Sequence, residues 1–276
     1  DLDAAEKSGY ETFMLKEIYD QPEAVAETLG DRIRHGELVL ESLGMTEEQL
    51  RNLRRIVVVA AGTSYHAGVV GRYMIEEWAR VPVEPDIASE WIYRNPVLSK
   101  DTLVIGISQS GESRDTVNAI KLARELGART VAITNLMGSQ ITREADSVLY
   151  TRCGLEIGVA ASKTFTAQVA LLALIGLKLA QVRKTLPPDE IEFILDQLYE
   201  LPSKVEAFLS RAYDLDLTSG SAVAESTYAM QERYGFSPLD AEWEAFGQGR
   251  QVQVDVMRVD DGVDLAGVER ALRRLG

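Results

Sequence analysis

Three short segments of this chain place hydroxyl-bearing residues next to apolar runs, and two of them also contain glycine. They are residues 61–64 (Ala-Gly-Thr-Ser), 108–113 (Ser-Gln-Ser-Gly-Glu-Ser) and 159–163 (Val-Ala-Ala-Ser-Lys). Hydroxyl and amide groups donate directed hydrogen bonds, and glycine lets backbone N–H groups come close to a ligand. Segments of this kind are typical of turns that bind phosphate or another small anion.

The segment 108–113 is the best candidate for a phosphate site. Its hydroxyl groups come from Ser108, Ser110 and Ser113. The amide of Gln109 is a further donor, and Gly111 has no Cβ to block close backbone approach. A helix that begins directly afterwards adds N–H groups and the positive end of its dipole. The alternative is that the serines only cap this helix, which Ser113 could do alone.

Charge and composition restrict the ligand further. The formal net charge is −14, so a nucleic acid or an anionic membrane would be repelled, and we predict neither as a partner. Any anionic ligand is expected to be small and held by local dipoles. The two histidines are too few for a zinc cluster, and we expect no metal and no cofactor. The single cysteine, Cys153, favours a buried apolar role in a reducing compartment, the cytoplasm.

The predicted elements explain how these segments come together. Apolar, β-branched runs predict strands at residues 55–61, 83–87, 103–107, 130–134 and 148–151, with helices between them at 65–79, 113–126 and 139–145. Strands that alternate with helices over short loops form a parallel sheet covered on both faces. We therefore predict an α/β fold, a three-layer αβα sandwich with a mainly parallel sheet. Ligands of such sheets bind at the carboxyl ends of the strands.

Helical segments flank the predicted sheet. We predict helices before it at residues 10–20, 22–43 and 46–53, and two long helices after it at 163–182 and 188–209. The pattern is less regular after residue 214, with a loop at 218–221, a helix at 222–234, a strand at 252–259 and a helix at 265–275. Three regions follow from this: N-terminal helices (1–45), an α/β domain (46–212) and a C-terminal segment (213–276).

Three motifs resemble the isomerase half of the glutamine:fructose-6-phosphate aminotransferase family, the glucosamine-6-phosphate synthases. They are residues 61–65, residues 108–113 and residues 156–160 (Glu-Ile-Gly-Val-Ala). The segment 10–22 is similar to the connector that precedes the isomerase half in that family. The resemblance extends over residues 1–212, and it implies the first lobe of a sugar-isomerase (SIS) fold, which is flavodoxin-like.

The resemblance implies a site for fructose 6-phosphate. In the family the turn that matches residues 108–113 holds the phosphate, which implies this role for Ser108, Gln109, Ser110, Gly111 and Ser113. Ser113 replaces the usual threonine and keeps the hydroxyl group. The residues implied beside the sugar are Gly62, Thr63, Ser64 and Val159. Ala161 replaces a serine that often contributes a sugar contact in the family.

Other parts of the family pattern are unmatched. The family has a glutaminase domain with an N-terminal cysteine, which this chain is expected to lack. Its second lobe carries a glutamate base, a ring-opening histidine before Gly-Pro and a lysine near the C-terminus, and none is recognisable here. The predicted helix 222–234 is loosely similar to the helix of the base, which makes Glu232 the candidate. Gln248 and Gly249 stand where a His-Gly pair would be expected.

The sequence is compatible with three functions. The first is the isomerase domain of an aminotransferase, which binds fructose 6-phosphate for conversion to glucosamine 6-phosphate by ring opening, imine formation and proton transfer. The second is a non-catalytic sugar-phosphate-binding module, which the unmatched acid and base groups favour. A third and weaker interpretation is an oligomerisation element, because the helix around residues 165–180 is apolar on all sides. From that helix we predict a homodimer.

Overall fold

The structure of this protein is a computed structural model. It describes residues 7–10, 12–34, 37–214, 241–248 and 253–259, with side chains described up to residue 210. The chain divides into two compact units, Asp1–Glu206 and Ala207–Gly276. The first unit contains the sheet and all three hydroxyl-rich segments.

Strands and helices alternate through most of the first unit. Its elements are, in chain order, α1 (Phe13–Tyr19), α2 (Gln21–Leu29), β1 (Ile33–Arg34), β2 (Glu37–Leu38), α3 (Glu47–Asn52), β3 (Arg55–Ala60), α4 (Gly62–Ala79), β4 (Val83–Ile87), α5 (Ala88–Trp91), β5 (Thr102–Ile107), α6 (Arg114–Glu125), β6 (Arg129–Thr134), α7 (Gln140–Glu144), β7 (Ser147–Tyr150), α8 (Lys163–Arg183) and α9 (Pro188–Tyr199). The next helix, α10 (Leu201–Asp214), begins in this unit and ends in the second.

The central sheet has five parallel strands in the order β4-β3-β5-β6-β7. This arrangement confirms the predicted α/β fold. Chain order reverses at β3, because β4 lies on one side of it and β5 and the later strands lie on the other. In parallel sheets with such a reversal, ligands bind in the crevice beyond the carboxyl ends of the two strands that flank it.

Helices cover both faces of the sheet. Successive side chains of β3 point to opposite faces. Ile56 and Val58 join the apolar cluster that includes residues of α4 and α8, whereas Val57 and Val59 join the cluster that includes residues of α6. All four side chains are almost completely buried. The strand therefore has a continuous apolar sequence instead of an alternating one.

Two predicted helices differ from the structure. The helix predicted over residues 22–43 is wrong beyond Leu29, because Gly30 follows with a positive φ of 22° and the chain continues through the short strands β1 and β2. The helix predicted over residues 188–209 is interrupted at Glu200 and forms α9 and α10. Pro202, in the first turn of α10, lacks the N–H group that would continue α9.

The apolar circumference of α8 is explained by packing within the chain. α8 lies mainly against α4, and a Cβ on Gly71 of α4 would come within 2.6 Å of Leu172. The helices α2, α3 and α9 also contact it. Within the described residues α8 is long and apolar enough to cross a membrane, but 72% of that stretch is buried in the protein. Because these helices of the same chain cover α8, its apolar surface does not need a second copy of the chain to bury it. The homodimer stays a prediction.

In the second unit the structure describes one antiparallel pair, β8 (Ala241–Gln248) and β9 (Gln253–Val259). β9 corresponds to the strand predicted at residues 252–259. β8 has no counterpart among the predicted elements, since its glutamate, alanine and glycine residues have low strand propensity. The predicted loop at 218–221 and the predicted helices at 222–234 and 265–275 lie outside the described residues.

Candidate functional site

Two of the three hydroxyl-rich segments meet at the crevice between β3 and β5. These strands pair in parallel with Val59 opposite Gly106, so their carboxyl ends lie side by side. Residues 61–64, the glycine turn, follow β3 and open α4. Residues 108–113, the serine turn, follow β5 and lead into α6. The fold therefore brings both turns to the point of the sheet where ligands of this architecture bind.

Ser108 shapes the serine turn from the inside. It is 3% exposed. Its Oγ accepts a hydrogen bond from the Gly111 N–H (3.1 Å) and donates one to the Ser113 Oγ (3.0 Å). In this arrangement the proton of Ser108 is used within the turn, and the bond holds the Ser113 hydroxyl in position. Ser113 receives this bond as an acceptor, and its own hydroxyl proton has no partner among the described residues.

Ser113 occupies the N-cap position of α6 but does not act as a side-chain cap. Within the described residues its hydroxyl binds Ser108, and no capping bond to the first turn of α6 is formed. The Ser110 Oγ accepts a hydrogen bond from the Glu112 N–H (3.2 Å), a contact inside the turn. Simple capping by Ser113 therefore does not explain this segment. The first N–H groups of α6 keep their partial positive charge at the end of the turn.

Gly111 is required by the packing of the serine turn. Its φ is +66°. A Cβ at this position would lie 2.1 Å from the Ser139 Oγ and 2.8 Å from the Thr134 Oγ1. From the sequence, this glycine is expected to make room for a phosphate. In the structure a neighbouring loop already occupies the space, so glycine is needed to keep the turn against that loop.

The loop after β6, residues 135–139, supports the serine turn from outside. The Asn135 N–H donates to the Gln109 carbonyl (3.0 Å), and the Ile141 N–H at the start of α7 donates to the Gly111 carbonyl (3.0 Å). Sequence reasoning missed this loop. It also follows a predicted strand, and its sequence, Asn-Leu-Met-Gly-Ser, contains glycine and a hydroxyl-bearing residue as the glycine turn and the serine turn do.

The residues predicted to contact the sugar occupy two separate places. Gly62 is exposed and Thr63 is partly buried, while Ser64 is 8% exposed. All three open α4 beside the serine turn. Val159 is fully exposed in the loop after β7, and β6 separates that strand from β5. Glu232, the candidate base, lies outside the described residues.

Asn135 also ties down the beginning of the loop that carries Val159, residues 152–162, which we call the β7 loop. Its Oδ1 accepts hydrogen bonds from the Cys153 N–H (3.0 Å) and from the Thr151 hydroxyl (3.0 Å). Cys153 is buried, as predicted, with 4% exposure. Burial raises the pKa of its thiol. The thiol therefore stays protonated and is a poor nucleophile at neutral pH.

Glu156 fixes the end of the β7 loop. Its Oε1 accepts a hydrogen bond from the Ser162 N–H (2.8 Å), and its Oε2 accepts one from the Thr164 hydroxyl. A carboxylate at this position satisfies donors at the start of α8 and complements the helix dipole. This contact gives the glutamate of the Glu-Ile-Gly-Val-Ala motif a structural role at the entrance to α8.

Comparison with known proteins identifies the domain. A family model for the SIS domain matches residues 49–178. A glutamine–fructose-6-phosphate aminotransferase (isomerizing) from Clostridium acetobutylicum is 50% identical over 211 residues, which are 76% of this chain and 35% of that protein. The Mycobacterium bovis protein of the same name is 53% identical over 205 residues, 74% of this chain and 33% of its own length. The chain spans about a third of the length of these relatives.

Solved structures share the fold. The C-terminal domain of glucosamine-fructose-6-phosphate aminotransferase from Francisella tularensis matches with a TM-score of 0.72 at 37% identity, over 78% of this chain and 60% of that one. Glucosamine-6-phosphate deaminase from Thermotoga maritima matches with a TM-score of 0.57 at 19% identity, over 74% and 56% of the two chains, which is a likeness of fold alone. Residues 49–178 therefore match the SIS domain, and the chain is similar over about three quarters of its length to glutamine–fructose-6-phosphate aminotransferases and to the C-terminal domain of one of them.

Proposed function

We propose that this chain binds fructose 6-phosphate in the crevice between β3 and β5, as the SIS domain of a glutamine–fructose-6-phosphate aminotransferase. The relatives that are 50% and 53% identical to the chain are named for this substrate. Their names support fructose 6-phosphate as the ligand. The serine turn holds the phosphate, and the residues that open α4 lie beside the sugar together with Val159 of the β7 loop. Conversion to glucosamine 6-phosphate uses groups outside the described residues, with Glu232 as the candidate base.

The internal hydrogen bonding of the serine turn is the observation that carries this proposal. Ser108 closes the turn, so that Ser113 keeps its proton and α6 begins without a side-chain cap among the described residues. A phosphate placed at the turn would accept from these hydroxyl groups and from the first N–H groups of the helix. Local donors of this kind suit a protein whose net charge is −14, since its overall field repels anions.

Ser110→Ala is the direct test of the phosphate site. We expect fructose 6-phosphate binding to weaken by roughly ten- to a hundredfold, because a hydrogen bond to a charged group contributes about 1.5–3 kcal/mol. Calorimetric titration measures the change, with melting temperature as a check of the fold. Ser203→Ala, on an exposed position of α10, is the matched control and should bind like the parent. Unchanged binding by a folded Ser110→Ala protein would place the phosphate elsewhere.

A non-catalytic sugar-phosphate-binding module is the second candidate function. The hydroxyl groups described in the serine turn can bind a phosphate, and none of them is a base at neutral pH, which supports this candidate. Proton NMR of fructose 6-phosphate in D2O with this chain separates the two, because a working base exchanges the proton at C1 with solvent. A binding module would bind without exchange above the buffer rate. Rapid exchange would show that the chain contains its own base, and Glu232→Gln would then test the candidate.

We also propose that the protein is a cytoplasmic homodimer that needs neither a metal nor a cofactor and has no nucleic-acid partner. The net charge of −14 supports the last point, because a polyanion would be repelled. The buried, protonated Cys153 is compatible with a reducing compartment. Light scattering at tens of micromolar protein, a range in which ordinary dimers form, measures the oligomeric state.

A further inference from the structure

One side chain of α1 reaches the middle of the β7 loop. Glu17 is 2% exposed. Its carboxylate accepts hydrogen bonds from the Ile157 N–H (2.5 Å to Oε1) and from the Gly158 N–H (3.0 Å to Oε2 and 3.2 Å to Oε1). Because both oxygens accept from successive peptide groups, the contact fixes the orientation of the backbone as well as its position. Glu17 thus sets the path of the chain directly before Val159.

Gly158 is fitted to this contact. A Cβ at this position would lie 2.5 Å from the Glu17 Oε2 and 3.5 Å from the Met14 Cα. Gly158 is not among the glycines with positive φ. The requirement for glycine is therefore one of space and not of backbone conformation. The side chain of Glu17 explains the glycine of the Glu-Ile-Gly-Val-Ala motif.

The chain directly after Glu17 is fastened to the start of α8. The Lys163 ammonium donates to the Asp20 carboxylate (3.0 Å), and the Thr166 hydroxyl donates to the Gln21 Oε1 (2.6 Å). Burial alone would raise the pKa of Asp20, but hydrogen bonds from Lys16 and Lys163 bring it below its ordinary value. Asp20 is therefore charged at neutral pH. The junction of α1 and α2 and the start of α8 form a fixed frame for the β7 loop.

We propose that Glu17 is a positioning residue of the sugar-phosphate site, and that it acts on the sugar end through the β7 loop. The inference rests on the proposed function. The serine turn takes its own support from Ser108 and from the loop after β6, and Asn135 of that loop joins it to the start of the β7 loop, before the residues that Glu17 binds. We therefore expect a change at Glu17 to affect the sugar contacts more than the phosphate contacts. The residue directly after Gly158 is Val159, which the proposed function places beside the sugar, so the position of α1 would affect the part of the site that distinguishes a sugar phosphate from phosphate alone.

Glu17→Gln tests this inference with little change in shape. A carboxylate only accepts hydrogen bonds, whereas the amide would place a donor against a backbone N–H. We expect the affinity for fructose 6-phosphate to fall by about tenfold and the affinity for inorganic phosphate to change by less than about twofold. Calorimetry measures both ligands. Hydrogen exchange of the peptide that covers residues 152–162 should become faster in the variant.

A second set of variants tests the contact itself. Gly158→Ala should reproduce the selective loss of fructose 6-phosphate, because its Cβ would displace the Glu17 carboxylate. In a Glu17→Ala background the same change should add little, since the obstructing oxygen is gone. Glu125→Gln, at an exposed position at the end of α6, is the control and should bind both ligands like the parent.

Three results would overturn the inference. They are unchanged fructose 6-phosphate binding in Glu17→Gln, an equal loss for fructose 6-phosphate and inorganic phosphate, and full additivity of Gly158→Ala with Glu17→Ala. The equal loss would assign Glu17 a merely structural role. Failure of the parent protein to bind fructose 6-phosphate would overturn the proposed function first, and the parent titration shows this before any variant is made.

Discussion

Gly111→Val is expected to weaken fructose 6-phosphate binding by at least about a hundredfold, because backbone strain of about 1–3 kcal/mol adds to overpacking of about 1–3 kcal/mol. The strain arises because Gly111 has a φ of +66°, which a β-branched residue adopts poorly. The overpacking arises because its Cβ would lie 2.1 Å from the Ser139 Oγ. The serine turn must then separate from the loop after β6, and calorimetry should show the loss.

Gly127→Val is the matched control for this variant. Gly127 has a φ of +82°, but a Cβ there meets no atom of the described residues within 4 Å. The control therefore carries the backbone strain without the steric overlap, and it should lower the melting temperature while leaving the affinity unchanged. If Gly111→Val binds like Gly127→Val in a folded protein, the contact of the serine turn with Ser139 does not shape the site.

The sheet could be predicted from the sequence because its central strands are buried on both faces. β3 has six residues, and the five that follow Arg55 are all apolar. Such a run between turn residues has few other interpretations. The order of strands and helices then restricts the topology, because crossovers between parallel strands are right-handed. Burial pattern and connectivity together therefore determine where the two turns lie.

The N-terminal segment was harder to predict because tertiary contacts override local pattern there. Residues 30–43 have apolar residues at helix-like spacing, yet Leu38 and Leu40 enter the core from short strands and turns. Two-residue strands such as β1 and β2 leave almost no periodicity in the sequence. The positive φ of Gly30 decides the outcome, and glycine within a helical pattern is only a weak indication of a break.

The candidate site was predictable in its location and less so in its internal roles. Residue types and spacing placed a turn rich in hydrogen-bond donors after β5. They could not show that the Ser108 hydroxyl donates to the Ser113 hydroxyl. Asn135 and Glu17 were missed because their partners are distant in sequence. Glu17 accepts a hydrogen bond from Ile157, which is 140 positions away in the sequence. Such a contact forms only in the folded chain.

Removing the phosphate from the ligand is expected to weaken binding by about a thousandfold. Fructose offers the serine turn no acceptor with a full negative charge, so two or three hydrogen bonds of about 1.5–3 kcal/mol each are lost, against about 4 kcal/mol for a thousandfold change. Calorimetric titration with fructose 6-phosphate and with fructose measures the ratio. Inorganic phosphate should compete with the sugar phosphate, because it fills the same turn.

Salt dependence shows whether local dipoles supply this selectivity. The serine turn contains Glu112 and no lysine or arginine, in a protein of net charge −14. Salt screens the long-range repulsion more than the short contacts, so the affinity for fructose 6-phosphate should not fall between about 20 and 200 mM salt. A steep loss with salt would assign the phosphate to exposed basic residues instead. Equal affinity for fructose would mean that the sugar alone is recognised and that the serine turn binds no phosphate.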